Sequence, residues 1–423
     1  MSLNDKAWEV LFERYQILDE VNRHGFYEID AKTIKTVREP RLMAKFDHKS
    51  NLPKIFKKYG ISILPISRSR YVLGQFDAYE KVSYDESLRP IKLRIPPTVM
   101  TIDPSNLYSE SSALHCAYVS GMIADLLGEE CTPTVSGRMS SQAFDFMIRT
   151  NSGKDHQIAI KNAQVEIDGG YEGEEAFALI EAKKETVEDF LVRQMYYPFR
   201  LWQGKIQKKV RPIFFTHSAD VFHFFVYEFE DPLRYNSLRL IEQKKYMIAH
   251  ETIALADIYH LLQQIKVIGE PEIPFPQADS FIRIIDLLGL LMEKDLTKDF
   301  ITTNYNFDER QTNYYTSAAM YLGLIDKYKK DSNIKYTLTA KGRQLMRLPY
   351  KQKYLALIKC ILEHKVFNEV VREYFANGKL PSKQKIIEMM KKSSLYNVEK
   401  ESTYFRRSST VIRWVEWIIE QQN

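Results

Sequence analysis

The sequence predicts a mixed-sheet α/β core flanked by helices, set between a mainly helical, basic N-terminal region and helix-rich C-terminal modules. Three observations predict it. Apolar strand-like runs, AFALIEAKK (176–184), RPIFFTHSA (211–219) and VFHFFVYEFE (221–230), alternate with helical stretches through the middle of the chain. The segment GEPEIPFPQADS (269–280) carries three prolines and breaks any helix, which marks a linker. Beyond that linker the periodicity is almost entirely helical, interrupted by one charged hairpin. We therefore expect four parts: a basic region over 1–95, the α/β domain over 96–268, and helical modules over 277–348 and 349–423.

Composition limits the possibilities. The 423 residues are 44% apolar and include 23 Phe and 26 Tyr, ample material for packed cores. No apolar run approaches the roughly 18 residues of a membrane span, and the start MSLNDKAWEVLFERY lacks an apolar leader segment. Three dispersed cysteines (Cys116, Cys131, Cys360) suit neither a disulfide framework nor a zinc site. The expectation is a reduced cytoplasm and no membrane.

Charge is uneven. Residues 277–423 hold 25 Lys plus Arg against 17 Asp plus Glu, and residues 32–58 hold nine Lys or Arg, including Arg38 and Arg41, against Glu39 and Asp47. Basic ends around a more acidic middle fit a polyanion gripped from two sides, although ordinary surface charge gives a similar count.

Within the middle domain, 108–128 has helical periodicity, AFDFMIRT (143–150) reads as a strand, and NAQVEID (162–168) pairs with AFALIEAKK around a turn at Gly169 and Gly170. The stretch TVEDFLVRQMYYPFRLW (186–202) predicts a helix with Thr186 at its N-cap, bent or stopped near Pro198. On a strand, Glu181 and Lys183 share one face, while Asp168 lies on the preceding strand. If the two strands pair, Asp168 and Glu181 converge, and two convergent carboxylates suit a hard divalent cation such as Mg²⁺. Such an ion polarises a phosphate, and a lysine beside it orients or deprotonates the attacking water or stabilises developing charge. The plainer alternative is a solvated strand end, with Asp168 favouring an Asp-Gly turn. Asp145 in AFDFMI competes for the first-acid position, and Asp168 is preferred.

The pattern Asp168…Glu181-Ala182-Lys183, carried on an apolar strand and followed by a helix and two strands, resembles the PD-(D/E)xK nuclease superfamily over about residues 105–230. Ile167 stands where the family name has proline. The resemblance implies that Asp168, Glu181 and the Ala182 backbone carbonyl hold Mg²⁺ (or Mn²⁺ in its place), with Glu110 as a further candidate ligand. It also implies that Lys183 assists the chemistry and that Gln194 sits beside the site, where some branches carry a helix glutamine. Gln194 read alone is equally a hydrogen-bonded glutamine at the edge of the core. No phosphate-binding GxxxxGK[ST] loop and no methyltransferase motif is present.

After the linker, residues 280–346 read as helix, helix, turn, helix and a charged hairpin, which looks like a winged helix. Asp308 would cap the third helix, whose first turns carry Arg310, Gln311, Asn313 and Tyr314, residue types suited to base edges. Lys329 and Lys330 on the hairpin suit phosphates. Winged helices also serve as protein-binding modules. The tail STYFRRSSTVIRWVEWIIE (402–420) offers Arg406 and Arg407 beside an apolar face, which a plain capping helix would equally explain.

Together these readings predict a sequence-specific double-stranded DNA endonuclease, most similar to a type II restriction enzyme. The similarity implies a separate methyltransferase partner and a homodimer on DNA, since two strands require two cuts. A transposition- or repair-associated nuclease of the same superfamily and a non-catalytic winged-helix regulator are the alternatives.

Overall fold

The computed structural model describes residues 3–85, 87–104, 107, 109–248, 251–304, 309–330 and 333–422. The N-terminal part packs helices α1 (Leu3–Arg14), α2 (Ile17–His24), α3 (Ala31–Lys35), α4 (Pro40–Met43) and α5 (Lys54–Tyr59) against a small antiparallel sheet. That sheet is formed by β1 (Phe26–Asp30), β2 (Ser62–Pro65) and β3 (Arg70–Gly74) in the order β1-β3-β2. Trp8, Phe12, Phe56, Ile63 and Leu73 fill the space between. The expectation of a mainly helical region missed this sheet, because its strands are four or five residues long, too short to display a clear alternation.

The central part begins with the short strands β4 (Tyr79–Lys81) and β5 (Ile91–Leu93) and the helices α6 (Glu110–Val119) and α7 (Met122–Leu127). Strands β6 (Thr132–Ser140), β7 (Ala143–Arg149), β8 (Asp155–Lys161), β9 (Gln164–Glu172), β10 (Ala176–Lys183) and β11 (Asp189–Leu191) follow. Helix α8 (Arg193–Gln203) and strands β12 (Lys209–Ser218), β13 (Val221–Phe229) and β14 (Leu238–Ile248) complete it. Seven strands form one mixed sheet in the order β5-β14-β13-β12-β10-β9-β6. Only β10–β12 and β14–β5 run parallel. This is the mixed α/β core expected from the sequence.

Strand β10 is the central element, buried from Ala176 to Ala182. Its Phe177 and Leu179 join a core shared with α8, whereas Ala176, Ala178, Ile180 and Ala182 join a second core under α6 and α7. The small alanines let those two helices sit close to the sheet.

Two local expectations are corrected. The β9–β10 turn falls at residues 173–175, not at Gly169–Gly170, because the Glu129 carboxylate accepts hydrogen bonds from the amides of Glu174, Glu175 and Ala176 at 2.8, 3.0 and 2.9 Å. Thr186 caps no helix. Residues 189–191 instead pair antiparallel with β4, burying Phe190 and Leu191, and the helix starts at Arg193. It continues through Pro198, which only removes the bond to the Gln194 carbonyl.

The C-terminal part contains α9 (Leu255–Gln264), α10 (Phe281–Glu293), β15 (Leu296–Thr297), α11 (Lys298–Asn304), α12 (Glu309–Tyr321), β16 (Ile325–Lys330) and β17 (Asn333–Leu338). Helices α13 (Ala340–Met346), α14 (Tyr350–Leu362), α15 (Lys365–Asn377), α16 (Lys383–Lys391) and α17 (Glu401–Glu420) follow. A single hydrophobic core runs from Ile253 to Ile418, so the two expected C-terminal modules pack as one unit. Trp414 of α17 stacks on Phe367 and donates its indole N–H to the Ala278 carbonyl at 2.7 Å. The proline-rich stretch is itself packed in, with Phe275 and Ala278 buried and Glu270 accepting from the Tyr321 hydroxyl. Asp308, the expected cap of α12, lies outside the described residues.

This unit grips the tip of the β12–β13 hairpin. Ala219 and Asp220 form a two-residue turn at φ 47° and 65°, a conformation that normally selects glycine or asparagine. Asp286 of α10 accepts from the Ser218 hydroxyl at 2.8 Å and the Ala219 amide at 3.2 Å, and Lys353 pairs with Asp220 at 2.8 Å. The grip fixes where the end of α10 lies relative to the central sheet. Among the described residues no helix is long and apolar enough to cross a membrane.

Candidate active site

Asp168 and Glu181 meet because β9 carries a bulge. Between the pairs Val135↔Gly170 and Gly137↔Ile167, two residues of β6 advance while three of β9 do, which leaves Asp168 and Gly169 in the irregularity. Gly169 is required there, since a Cβ would come within 2.7 Å of the Tyr171 ring and 3.2 Å of Leu114. The β9–β10 ladder makes its last pair at Gly169↔Ile180. Past that point β9 no longer supplies backbone acceptors, and the Asp168 carboxylate substitutes by accepting from the Ala182 amide at 2.8 Å. In an extended strand the N–H and C=O of one residue point the same way, so the Ala182 carbonyl also faces the side where the ladder has ended.

Glu181 follows on the face of Phe177 and Leu179 and is only 6% exposed. Its Oε1 accepts from the Lys183 ammonium and from Gln194 Nε2, each at 2.5 Å. Gln194 Oε1 is buried and has no hydrogen-bond partner. The four residues Asp168, Glu181, Lys183 and Gln194 border one cavity of about 350 Å³, together with Glu110 at the start of α6. All five residues singled out in the sequence thus border the same cavity. Asp145 is exposed on the separate β7–β8 hairpin and does not border the cavity, so it does not compete for the position.

Burial dominates the electrostatics of the site. Burial pushes the Glu181 carboxyl up to about 8, with Asp168 adding to the rise and Lys183 opposing it. Burial likewise raises Asp168 and Glu110, and each is relieved in part by Lys183. Lys183 is pulled down by burial, but Glu181 first, and then Asp47, Glu110 and Asp168, outweigh this and hold the ammonium protonated.

Several lining residues escaped the sequence reading. Glu185, half-buried and pushed up to about 8 by desolvation, lies two residues past the motif. Lys45, Asp47, His48 and Asn51 arrive from the N-terminal part, and Glu293, Lys294 and Phe300 from the C-terminal part. The nine basic residues scattered over 32–58 were the only available signal for the former.

The residues expected to contact DNA lie elsewhere. Arg310 and Asn313 are exposed on α12, with Gln311 and Tyr314 half-buried, and the Arg310 Nε donates to the Tyr314 hydroxyl. Lys329 and Lys330 are exposed on β16. Arg406 is exposed on α17. Arg407, half-buried beside it, is pulled down by burial and by Arg406, with Tyr314 of α12 opposing. Arg41 is exposed and Arg38 half-buried at the N-terminal module, and neither lines the cavity.

Three family models match consecutive stretches of the chain, each described as a domain of unknown function: DUF6996 over residues 5–73, DUF6997 over 74–247 and DUF7226 over 283–423. No curated protein and no solved structure matches. The cavity draws residues from all three matched stretches.

Among the described residues no three His, Cys, Asp or Glu side chains stand together as a ready-made metal cage. Mg²⁺ does not need one, because it keeps several waters and uses one or two carboxylates. Asp168 retains Oδ1 and Glu181 retains Oε2 after their protein bonds, both hard oxygen donors. The orphaned Gln194 Oε1 suits a donor such as a cation-bound water. The residues therefore fit the ion.

Proposed function

We propose that this protein is a divalent-cation-dependent DNA endonuclease whose chemistry resides in the cavity around Asp168, Glu181 and Lys183. The observation that carries the proposal is the bulge in β9, which turns Asp168 onto the Ala182 amide and so brings two carboxylates, a backbone carbonyl and a protonated lysine to one buried point. Asp168, Glu181 and the Ala182 carbonyl would hold Mg²⁺, with Mn²⁺ as a substitute. The ion supplies charge neutralisation at the phosphate and a more acidic bound water. Gln194 fixes the Glu181 carboxylate and offers its free oxygen as an acceptor for water. Lys183 stays cationic, so its part is to meet the charge that develops on the phosphate oxygens rather than to take a proton.

The helix order α10, β15, α11, α12 followed by the β16–β17 hairpin is that of a winged helix, which supports base reading by Arg310, Gln311, Asn313 and Tyr314 and phosphate contacts from Lys329 and Lys330. A reading module joined to a cutting module, with no motor or methylase motif, favours a type II restriction enzyme that works beside a separate methyltransferase and pairs as a homodimer on DNA. Incubating the purified protein with unmethylated phage DNA and Mg²⁺ tests this. Discrete fragments support restriction. Structure-dependent nicks point to the repair-type alternative, and shifted but intact DNA points to a regulator.

A further inference from the structure

We propose that the two flanking parts of the chain clamp the DNA backbone on either side of the carboxylate centre, with Lys45 from the N-terminal part and Lys294 from the C-terminal part each holding a phosphate. The inference rests on the nuclease reading above and specifies how the substrate strand crosses that site.

The segment bearing Lys45 is not a loose arm. The Phe46 carbonyl accepts from the Tyr79 hydroxyl at 2.8 Å, and the Asp47 carbonyl accepts from the Leu191 amide at 2.9 Å. His48 Nδ1 bonds the Asp189 carbonyl at 2.5 Å, and the Lys49 amide donates to the Asp189 carboxylate at 3.0 Å. Four bonds to β4 and β11 thus fasten residues 46–49 directly beside the entry to α8, the helix that carries Gln194. Lys45 is left at the cavity wall with its side chain 63% exposed, and its charge is felt at both Glu110 and Asp168.

On the C-terminal side, Asp286 locks α10 to the tip of the β12–β13 hairpin, so the last turn of that helix has a fixed place at the cavity. Lys294 immediately follows it, exposed, lining the same cavity, with its ammonium 4.7 Å from the centre of the Phe300 ring. The cavity therefore has an anion-seeking group on each flank and carboxylates in the middle. A DNA strand needs this order: its scissile phosphate meets the cation-binding carboxylates, and its neighbouring phosphates meet lysines.

The carboxylates near these lysines do not exclude a phosphate. Asp47 is 3.9 Å from the Lys45 ammonium, the limit of an ion pair, and the Lys45 side chain is 63% exposed, while Glu293 pairs with Lys184 at 3.4 Å rather than with Lys294. A long pair to a solvent-exposed lysine contributes little, so exchanging that carboxylate for a phosphate costs little.

The test is fluorescence anisotropy with a labelled 30-base-pair duplex in Mg²⁺-free buffer across a salt series. Wild type is compared with Lys45→Ala, Lys294→Ala, the double variant and the two Lys→Arg variants, with thermal melting as the folding check. Each alanine variant should bind about 3- to 10-fold more weakly and lower the slope of log K against log salt by about 0.9, the double variant by about 1.8, and the arginine variants should keep the wild-type slope. Wild-type affinity and slope in both alanine variants would overturn the clamp, as would a wild type that binds no duplex. Cleavage by wild type is measured alongside. Its absence counts against the nuclease reading alone, since the slopes still judge the clamp.

Discussion

Replacing Asp168 by Asn and by Ala separates what the residue does for the fold from what it does for the reaction. Both changes remove the buried charge, whose cost is the same in the two variants. They differ in the Ala182 amide: the Asn side-chain oxygen can still accept the bond made at 2.8 Å, whereas Ala leaves a buried donor without a partner. Such an orphan costs about 1–3 kcal/mol. With about 2–4 °C lost per kcal/mol in a domain of this size, Asp168→Ala should melt roughly 2–12 °C below Asp168→Asn. Asp168→Asn itself should be at least as stable as wild type at pH 8, because burial raises the native carboxyl and ionising it is unfavourable. Both variants should lose cleavage by at least about 10³-fold, equivalent to roughly 4 kcal/mol of transition-state stabilisation from a positioned cation. Calorimetric melting and single-turnover cleavage of a plasmid at saturating protein measure the two effects. Wild-type cleavage by the Asn variant, or equal melting of the two variants, refutes the reasoning.

Lys183→Ala should slow single-turnover cleavage at least about a hundredfold while leaving duplex affinity near wild type, and an unchanged rate would remove Lys183 from the chemistry. Arg310→Ala should cost about 1–3 kcal/mol on a cognate site and little on random duplex, so equal losses in a binding titration would show that α12 is not the reader. Lys329→Ala with Lys330→Ala should instead weaken both duplexes alike and flatten the salt dependence by up to about two units of slope. Asp286 is pushed up to about 7 by burial, so its folded form binds a proton that the unfolded chain has released. Its contribution is fully present below about pH 4 and lost as pH rises through 7, and Asp286→Asn should abolish this loss, gaining on the order of 3–4 kcal/mol over wild type at pH 8 in denaturant unfolding.

The sequence revealed the parts whose physics is local. The alternation in AFALIEAK assigned Glu181 and Lys183 to one face, and the structure keeps them there. The prolines at 271, 274 and 276 located the break before α10. What stayed hidden depends on distant partners. The bulge at Asp168–Gly169 arises from the β6 register, which nothing in residues 162–185 encodes by itself. The true β9–β10 turn is organised by Glu129, more than forty positions away. The late start of α8 follows from pairing with β4, more than a hundred positions upstream. Lys45 and Lys294 are ordinary lysines in the sequence and become part of the site only through the anchoring of residues 46–49 and of α10.

A purely structural account of the carboxylate cluster predicts one of two arrangements. A solvated strand end would leave Glu181 wet, yet it is 6% exposed. A structural ion-pair network would satisfy its members, because an unmet polar atom in the interior costs about 1–3 kcal/mol. Here Gln194 Oε1 and Asp47 Oδ1 are both buried without a partner, and burial raises Glu181, Asp168, Glu110 and Glu185 despite the cations Lys45, Lys183, Lys184 and Arg283 around them. An interior arranged for stability would replace such a group with apolar side chains of the same volume at little cost. Raised carboxyls and unmet acceptors gathered beside one cavity of about 350 Å³ instead mark this cluster as the candidate site. Three separately matched stretches of chain converge on it, with Lys45 and Asp47 arriving from one flank and Lys294 and Glu293 from the other.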